Sequence, residues 1–285
     1  MIHTIVIPVR GDGKGDNVFA HAAILAKRCN AHVLVTHCRA RAEDLMPYGV
    51  VIPSALKELV IEQSKGVADQ LEENMREELD VLADQLGIAH SEKPLANQAS
   101  TSWLEEKGRQ IDVIKRHGRV ADLICVAKPD VNRNLGANTL KAALFNTGRP
   151  VMMCPPAEKP PEQLGARIGI AWNGSIQASR AVACAIGILD QADQVVVFSS
   201  GIEVSGASAA SLADYLTSRG INVEVERFEN SNNIGVDLLE QSASANVDSL
   251  LMGAFSKRSN ETQTILGGTT QHIVDNAEFP IILVH

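Results

Sequence analysis

RIGIAWNGS, residues 167–175, is a short apolar run that ends in a polar turn, and this stretch decides the fold of the chain. A helical pattern of small and aliphatic residues follows over 178–189, and the strand-like QVVVF follows over 194–198. Short apolar strands alternating with helical periods are typical of βαβ units and a parallel sheet. The pattern predicts strands near 167–172, 194–199, 222–227, 248–253 and 280–284, and helices near 176–190, 206–219, 233–245 and 269–277.

The same order of elements appears earlier in the chain. The strand-like TIVIPV of residues 4–9 leads through a polar loop to an alanine-rich helical stretch over 20–26. A second strand-like run then covers 31–37. Repetition of this kind indicates that one supersecondary plan occurs twice.

The ends of the two repeats also correspond. ADLICVA, residues 121–127, is similar to VDSLLMG, residues 247–253. TGRPVMM, residues 147–153, is similar to AEFPIIL, residues 277–283. The repeat therefore extends over nearly the whole chain.

A proline-rich stretch, PPAEKPP at residues 155–161, forms a stiff linker between the repeats. We therefore predict an amino-terminal domain over 1–156 and a carboxy-terminal domain over 165–285. The first repeat is longer, because an apolar stripe at helical spacing runs from about 54 to 86 and ends at Gly87. The stripe favours a long helix that covers its own sheet over a partner-binding surface.

Composition excludes several classes of protein. Aromatic residues are 4% of the chain, so aliphatic residues must build the core, as in α/β layers. The formal net charge of −8 argues against binding to nucleic acid or to anionic membranes, since both need a basic face. No apolar run reaches the ~18–20 residues that span a bilayer. The five scattered cysteines include no C-x-x-C pair and indicate a reducing compartment, so we expect a cytoplasmic protein.

Two loops of the second repeat carry candidate ligand groups at the carboxyl edge of the predicted sheet, where ligands of open α/β sheets bind. The first loop, AWNGS of residues 171–175, contains Asn173, whose carboxamide can donate and accept. An Asn or Ser at this position is also an ordinary helix N-cap, and from this loop alone that interpretation is favoured. The second loop begins at Met252 and Gly253, where a glycine permits close approach of a ligand to the backbone.

A third loop opens the last predicted helix. It contains two glycines and two hydroxyl residues, Gly267, Gly268, Thr269 and Thr270. Together with the free N–H groups of a helix start, these residues form an anion nest. The joint placement of the three loops at one sheet edge favours a phosphate-bearing ligand.

These residues resemble the tandem members of the universal stress protein family. The resemblance is carried by IAWNGS at 170–175, by Met252 and Gly253, by GGTT at 267–270 and by PIILV at 280–284, with LFNTGRPV at 144–151 in the first half. It implies two five-stranded Rossmann-like domains, of the adenine nucleotide alpha hydrolase-like type. The domains are expected to pack as an intramolecular pseudo-dimer, with their last strands near the pseudo-twofold axis.

The resemblance also implies a ligand, which is ATP or another adenine nucleotide, with or without magnesium, in the second domain. Ala171, Asn173 and Val197 would lie near the adenosine, and Trp172 and Met252 would line the same site. The phosphates would be held by a set of small and hydroxyl residues: Gly253, Ser256, Gly267, Gly268, Thr269 and Thr270.

Three departures from the family pattern bear on this site. Nucleotide-binding members carry a glycine, two residues, a second glycine, nine residues and a third glycine. Here Ser256 stands where the second glycine is expected, and ten residues, 257–266, precede Gly267. Asn173 stands where the family has an aspartate. A serine that needed a positive φ would cost about 1 kcal/mol and distort the loop.

The first repeat lacks an equivalent nest. KPDVNR, residues 128–133, follows its fourth strand, and Asn146 and Thr147 replace the GGTT segment. GDGKGD, residues 11–16, superficially suggests a dinucleotide fingerprint, but Asp16 occupies the position of the last glycine and would repel phosphate. We predict that this site is degenerate and that the segment is a solvated loop.

No pattern of catalytic or metal-binding residues emerges. His37 and Cys38 are adjacent on a strand and point to opposite faces, which favours structural roles over metal binding. His272 lies one turn into the last helix, where it either contacts a ligand or is solvated. Asp122 and Asp248 precede their strands and so lie at the wrong sheet edge for catalysis.

The sequence therefore supports three functional hypotheses. The main one is a cytoplasmic stress-response regulator that binds adenine nucleotide and signals through a protein partner or through association of two such chains. The second is a nucleotide-free protein-interaction module in which both sites have decayed. The third, ranked last, is a slow ATPase, because no nucleophile with a paired base is evident.

Overall fold

The computed structural model describes residues 1–9, 14–39, 70, 72–130, 132–133, 135–200, 206–254, 256–257 and 265–285. The elements of the first half are β1 (Thr4–Val9), α1 (Gly15–Cys29), β2 (His32–Arg39), α2 (72–85), β3 (Ala89–His90), β4 (Ser100–Lys107), α3 (Gln110–Gly118), β5 (Leu123–Ala127), α4 (Ala137–Asn146) and β6 (Val151–Cys154). Those of the second half are β7 (Arg167–Ala171), α5 (Ile176–Leu189), β8 (Gln194–Ser200), α6 (Ala209–Thr217), β9 (Val223–Phe228), α7 (Ile234–Ser244), β10 (Ser249–Gly253), β11 (Ser256–Lys257), β12 (Ile265–Leu266), α8 (Gly268–Asn276) and β13 (Ile281–Val284).

The five strands and four helices predicted for the second half are confirmed. The strand ends differ from the predicted ones by one residue at most. Agreement is close because the strands are apolar runs and three of the helices begin at residues that cap them. Ser175, Ser208 and Asn233 each accept a hydrogen bond from a backbone N–H of the helix that follows.

All long strands belong to one sheet of eleven, in the order β3-β4-β2-β1-β5-β6-β13-β10-β7-β8-β9. Every neighbouring pair is parallel except β6 and β13, which pair antiparallel with Met152 opposite Ile282. Counted outward from this pair, the order is β6-β5-β1-β2-β4 in the first half and β13-β10-β7-β8-β9 in the second, so the two halves repeat one strand order. The last strands of the two repeats therefore meet at the pseudo-twofold axis, as expected.

Helices cover both faces of the sheet, and the apolar core has one layer on each face. One layer includes α1 residues such as Phe19 together with α5 residues such as Val182. The other includes Leu140 of α4 together with Ile273 of α8. Each layer draws on both halves, which confirms the predicted α/β fold class of two packed repeats.

The described part of the long first-half stripe is helix α2. Leu79 and Ala83 of α2 are buried in the same core layer as α1. This part of the helix therefore covers its own sheet, which is the interpretation that the sequence favoured. The rest of the stripe, residues 54–69 and 71, lies outside the described residues.

Asp122 and Asp248 occupy equivalent places at the amino edge of the sheet. Asp122 Oδ2 accepts from the backbone N–H groups of His3 at 2.8 Å and Thr4 at 3.0 Å. The Asp248 carboxylate accepts from three, those of residues 165, 166 and 167, at 2.9, 2.7 and 2.8 Å. Each carboxylate thus fixes the backbone where the first strand of its repeat begins. This edge of the sheet is opposite the edge where the candidate site lies.

The cysteines are all free thiols. Cys29, Cys125 and Cys154 are buried, as small apolar residues often are, whereas Cys184 is exposed. Across the part of the chain that the structure describes, no helix is both long and apolar enough to cross a membrane.

Candidate functional site

A cavity of about 490 Å³ lies at the carboxyl edge of the second-half sheet, where β7, β8 and β10 end and α5 and α8 begin. Its volume is within the range of small-molecule sites. Among the predicted site residues whose side chains are described, the cavity brings together all except Val197. It is lined by Ala171, Trp172, Asn173, Ser175, Gln177, Ala178, Phe198, Ser200, Phe228, Ile234, Leu238, Met252, Gly253, Gly267, Gly268, Thr269 and Thr270.

The loop after β7 contains both the helix cap and the candidate ligand group. Ser175 is the N-cap of α5, and its hydroxyl accepts from the backbone N–H of Ala178 at 3.2 Å. Asn173 Oδ1 accepts from the backbone N–H of Ser175 at 3.1 Å. The side-chain oxygen of Asn173 thus stabilises the turn. The NH2 of the same carboxamide is the candidate hydrogen-bond donor to a ligand in the cavity.

Trp172 and Gly174 attach this loop to the start of α6. The indole Nε1 of Trp172 donates to the carbonyl oxygen of Ala207 at 2.9 Å. Gly174 has a φ of +71°, and a Cβ there would lie 2.9 Å from the same carbonyl oxygen. A glycine is therefore required both by the backbone conformation and by the close contact.

The start of α8 forms the opposite wall. Gly267 is the N-cap, and no side chain caps the helix. The backbone N–H groups of Gly268, Thr269 and Thr270 belong to the first turn, whose N–H groups have no partner within a helix. A Cβ at Gly268 would lie at least 4 Å from the described residues outside its own turn, so these residues leave space beside the turn. The turn can therefore accept an anion.

Gly253 has a structural reason to be glycine besides any ligand. A Cβ at this position would lie 2.7 Å from the backbone carbonyl carbon of Gln177, in the first turn of α5. The close approach of β10 to α5 therefore excludes a side chain. The glycine lines the cavity, but its presence alone is not a sign of ligand binding.

Ser256 lies in a small hairpin that leads to α8. Ser256 and Lys257 of β11 pair antiparallel with Leu266 and Ile265 of β12. The spacer between Ser256 and Gly267 covers residues 257–266, one residue more than the family pattern, and most of this hairpin lies within it. The side chain of Ser256 lies outside what the structure describes, so its contact with a phosphate stays a prediction.

Val197, which the resemblance places near the adenosine, does not line the cavity, whereas its neighbour Phe198 does. Neighbouring residues of a strand point to opposite faces. Val197 is fully buried in the core layer that contains α1 and α5, whereas the next residue, Phe198, lines the cavity. Phe198 is paired with Ala171 of β7 in the sheet register.

Sequence reasoning also missed the apolar end of the cavity. Phe198, Phe228 at the end of β9, and Ile234 and Leu238 of α7 form this end. The alternation of residue faces along β8 was the sequence signal that could have identified Phe198. The contribution of α7 depends on how that helix packs, which short motifs do not report.

The cavity lining is partly apolar and partly polar. Side chains of β8, β9 and α7, together with Trp172 and Met252, supply most of the apolar surface, and most of the hydroxyl and carboxamide groups come from the starts of α5 and α8, with Ser200 of β8 in addition. Among the described lining residues, no side chain carries a formal charge. The described site can therefore hold a partly apolar, partly anionic molecule, and its own polar groups are neutral hydrogen-bonding groups.

His272 does not line the cavity. A Cβ at Gly235 of α7 would lie 2.9 Å from His272 Cδ2, so the imidazole packs closely on α7. Asn276 Nδ2 donates to the His272 carbonyl oxygen at 2.7 Å within α8. The side chain is half-buried between two helices and fits neither alternative proposed from the sequence.

His37 and Cys38 diverge, as their strand positions predict. The imidazole of His37 stacks on Trp103, with ring centroids 5.7 Å apart, and the Cys38 thiol donates to the carbonyl oxygen of Gly108 at 3.1 Å. In the described ranges, no group of three or more His, Cys, Asp or Glu side chains is arranged to hold a metal ion.

The carboxyl edge of the first half is arranged differently. The void at the ends of β1 and β5 is about 20 Å³ and is lined in part by Pro8, Val9 and Gly136. Beside it, Lys14 Nζ lies 3.5 Å from Asp130 Oδ2, and the pKa of Asp130 is lowered chiefly by the hydrogen bond from the backbone N–H of Arg133. A separate cavity of about 680 Å³ lies between the starts of α3 and α4, and charged side chains are part of its lining.

Comparisons with known proteins were made by sequence and by structure. No protein-family model matches the chain, and no curated protein matches it. A universal stress protein from Archaeoglobus fulgidus DSM 4304 is similar in structure over 99% of this chain and 95% of its own, with 14% identity and a TM-score of 0.65. A protein from Pseudomonas aeruginosa UCBPP-PA14, provisionally assigned as a universal stress protein, is similar over 99% and 93%, with 12% identity and a TM-score of 0.54.

A universal stress protein solved in complex with cAMP is similar over 54% of this chain and 96% of its own, with 14% identity and a TM-score of 0.33. A score that low says nothing about the ligand of this chain. At the identities found, the comparisons establish the fold alone. The chain has the fold of the universal stress proteins, with two Rossmann-like repeats. It shares the tandem arrangement with the Archaeoglobus fulgidus protein, whose length it matches almost completely.

Proposed function

We propose that this protein is a tandem universal stress protein that binds an adenine nucleotide in the second-half cavity. The observation that carries the proposal is the uncapped start of α8, with open space at Gly268, facing an apolar region of the same cavity. An adenine nucleotide has matching parts: a flat base for the apolar region and phosphates for the helix N-terminus.

The residues divide by the part of the nucleotide that they contact. Phe198 and Phe228 flank the base, and the carboxamide NH2 of Asn173 donates to the sugar or the base. The backbone N–H groups of Gly268, Thr269 and Thr270 hold a phosphate. None of the described lining residues is a carboxylate, so magnesium would enter on the phosphates of the nucleotide rather than on a protein ligand.

The bound nucleotide then acts as a signal rather than a substrate. The described cavity residues include no general base that could activate water. Binding would order the loops at the mouth of the cavity and alter the surface that a protein partner or a second chain contacts. This regulatory role in a cytoplasmic stress response is part of the proposal.

The test is calorimetric titration of AMP, ADP, ATP and adenosine, with and without magnesium, into protein freed of bound ligand. We expect roughly micromolar binding of a nucleotide at about one site per chain. Gly268→Asp is expected to weaken nucleotide binding by more than about tenfold, because its carboxylate repels the phosphate, and to leave adenosine binding nearly unchanged.

Gly268→Asn is the matched control, since its carboxamide has the size of the carboxylate without the charge. It should retain nucleotide binding to within a few-fold. No heat and no shift of the melting temperature at millimolar nucleotide would leave the alternative, a protein-interaction module without nucleotide. That alternative has one observation in its favour, because packing against Gln177 already explains Gly253.

A further inference from the structure

A groove separates α3 from α4 in the first half of the chain. It is the cavity of about 680 Å³ described above, and its lining comes from one stripe of each helix, within residues 109–114 and 138–146. We call it the α3–α4 groove. The α4 stripe extends over eight residue steps, so at 1.5 Å per residue the groove is about 12 Å long.

The groove is open because α4 has a small residue where α8 has a large one. The repeats align Pro150 with Pro280, so Ala142 of α4 corresponds to His272 of α8. The His272 imidazole packs between α8 and α7, where a Cβ at Gly235 would lie 2.9 Å from its Cδ2. Ala142 has only a methyl group and lines the groove. The alanine therefore leaves between α3 and α4 the space that the histidine occupies between α7 and α8.

The starts of the two helices meet at one end of the groove. Thr139 Oγ1 of α4 donates to Gln110 Oε1 of α3 at 3.4 Å. The N-cap residues are Arg109 and Gly136, and neither helix has a side-chain cap. The first N–H groups of a helix have no partner within it, and they carry the positive end of the helix dipole. Both dipoles therefore favour an anion at this end.

The charged side chains of the groove add to this preference. Among the described lining residues, Arg109 and Lys141 carry the formal charges, and both are exposed cations. Arg109 Nε donates to Asp112 Oδ2 at 3.0 Å, and the other two nitrogens of its guanidinium provide four further N–H groups. On a chain with a formal net charge of −8, the groove is thus a local site for negative charge.

One donor at the helix starts is unsatisfied. Gln110 Nε2 is buried and has no hydrogen-bond partner within the described residues. A buried donor without an acceptor is destabilising. Rotation of the Gln110 carboxamide would present this donor to an anion and remove that cost.

The rest of the groove is largely apolar. Ile111 of α3 is 38% exposed, while Ile114, one turn further on, is buried beneath it. Phe145 of α4 lines the same stretch, and its ring makes an edge contact with His285, with ring centroids 4.8 Å apart. An apolar group joined to the anion can therefore lie along this surface.

We propose that the α3–α4 groove is a second ligand site, which binds an organic anion made of a phosphate or carboxylate group and an apolar body. The anionic group contacts Arg109, Lys141 and the helix starts, and the apolar body lies against Ile111 and Phe145. This site does not depend on the proposed nucleotide site. Because β6 and β13 pair antiparallel, the carboxyl edges of the two halves lie at opposite edges of the sheet.

The test is calorimetric titration of the full chain with four probes. Two of them, 1-naphthyl phosphate and 1-naphthoate, contain both parts of the ligand, whereas inorganic phosphate and 1-naphthol each contain one. We expect at least one naphthyl anion to bind with a dissociation constant of about 0.1 mM, and each partial probe to bind at least about tenfold more weakly. The order of the two naphthyl anions identifies the preferred anionic group.

Single substitutions test which residues bind the anion. Lys141→Gln and Arg109→Gln are each expected to weaken binding of the naphthyl anion by about five- to tenfold, because each removes a charge-assisted hydrogen bond. Lys115→Gln is the matched control, since this lysine of α3 is not among the described lining residues. It should change the affinity by less than about twofold.

Ala142→His tests why the groove is open, because it gives α4 the residue that α8 has. It should weaken binding of the naphthyl anion by more than about tenfold, whereas Ala142→Ser should retain it. The melting temperature of each variant shows whether it is folded. If Ala142→His folds poorly, the charge variants still decide the question, since both change exposed side chains.

Two further titrations separate this site from the second-half cavity. Gly268→Asp should leave binding of the naphthyl anion unchanged, and Lys141→Gln should leave nucleotide binding unchanged. The proposal is overturned if no probe binds at about 5 mM, or if the naphthyl anion binds equally well to Lys141→Gln, Arg109→Gln and the parent. Loss of its binding in Gly268→Asp, or equally tight binding of inorganic phosphate or 1-naphthol, would also overturn it.

Discussion

The two halves of the chain have the same sheet topology but differ in the cavities at the carboxyl edge of the sheet. Their strand orders repeat, and Asp122 and Asp248 hold equivalent strand entries. Yet the second-half cavity of about 490 Å³ has no charged side chain among its described lining residues, whereas the first half has about 20 Å³ at the ends of β1 and β5 and about 680 Å³ between α3 and α4, lined in part by Arg109 and Lys141. Because the sheets match and the cavities do not, the loops and a few strand residues determine whether a ligand fits.

The loops that lead from β5 to α4 and from β10 to α8 also differ. In the first, Asp130 and Leu135 exchange backbone hydrogen bonds at 2.9 and 3.1 Å. In the second, β11 pairs with β12 before α8 begins. The described parts of the two loops therefore make different local pairings before equivalent helices.

The largest expected effect is on the free energy of unfolding, at the two aspartates that fix the starts of β1 and β7. Asp248→Ala removes the acceptor of three backbone N–H groups, and we expect it to lower the free energy of unfolding by about 3 kcal/mol. Asp122→Ala removes the acceptor of two, one of them exposed, and should cost about 2 kcal/mol. Urea unfolding of both variants measures the difference.

The corresponding Asn variants serve as controls, because a carboxamide keeps one acceptor and nearly the same shape. Each should lose less stability than its Ala counterpart. Equal losses for Asp122→Ala and Asp248→Ala would mean that the third hydrogen bond of Asp248 adds nothing, and the halves would then be equivalent at this edge.

A smaller effect is expected where Gly169 of β7 corresponds to Val6 of β1. A Cβ at Gly169 would lie 2.7 Å from Phe198 Cε2 and 3.1 Å from Leu250 Cδ1. Gly169→Ala should therefore destabilise the protein by about 1–3 kcal/mol and displace a ring that lines the cavity, weakening ligand binding. Denaturation and nucleotide titration measure the two consequences.

Gly268→Ala is the control for this change, since a Cβ there meets nothing within 4 Å. It should leave stability unchanged or slightly raised. In the first half, Val6→Ala removes buried methyl groups instead and should cost about 1–2 kcal/mol through the space it leaves. If Gly169→Ala proved harmless, the position of the Phe198 ring would not depend on the glycine.

The smallest effect is kinetic and compares the cysteines of α1 and α5. Cys29 of α1 is buried, and burial raises the pKa of its thiol to about 11, whereas Cys184 of α5 is exposed. A disulfide reagent at pH 8 should therefore label Cys184 rapidly and Cys29 only after unfolding. Mass spectrometry of the labelled peptides, with Cys184→Ser as control, identifies the reacting thiol. Rapid labelling of Cys29 would show that α1 opens in the native protein.

The sequence predicted the fold closely because strands, helix caps and repeats are local patterns. The predicted cavity residues at the helix starts, such as Asn173 and Thr269, also lie together, since the carboxyl ends of parallel strands share one edge. Val197 and Phe198 are neighbours on β8 and so point to opposite faces, and an unbroken apolar run does not show which of them reaches the cavity.

Other features depend on tertiary packing. Phe228 and Leu238 reach the cavity only because β9 and α7 lie where they do. The contact of Gly253 with Gln177 joins residues far apart in the chain.

The antiparallel pairing of β6 with β13 joins two repeats of one chain, and this allows the cavities of the two repeats to vary independently. In a homodimer of identical subunits, every substitution appears at both sites, so neither site can be lost without the other. Here one hydrogen-bonded ladder joins two unequal copies within a single polypeptide. A substitution that closes the cavity of one copy therefore leaves that of the other unchanged, and every molecule contains one copy of each kind whatever its concentration.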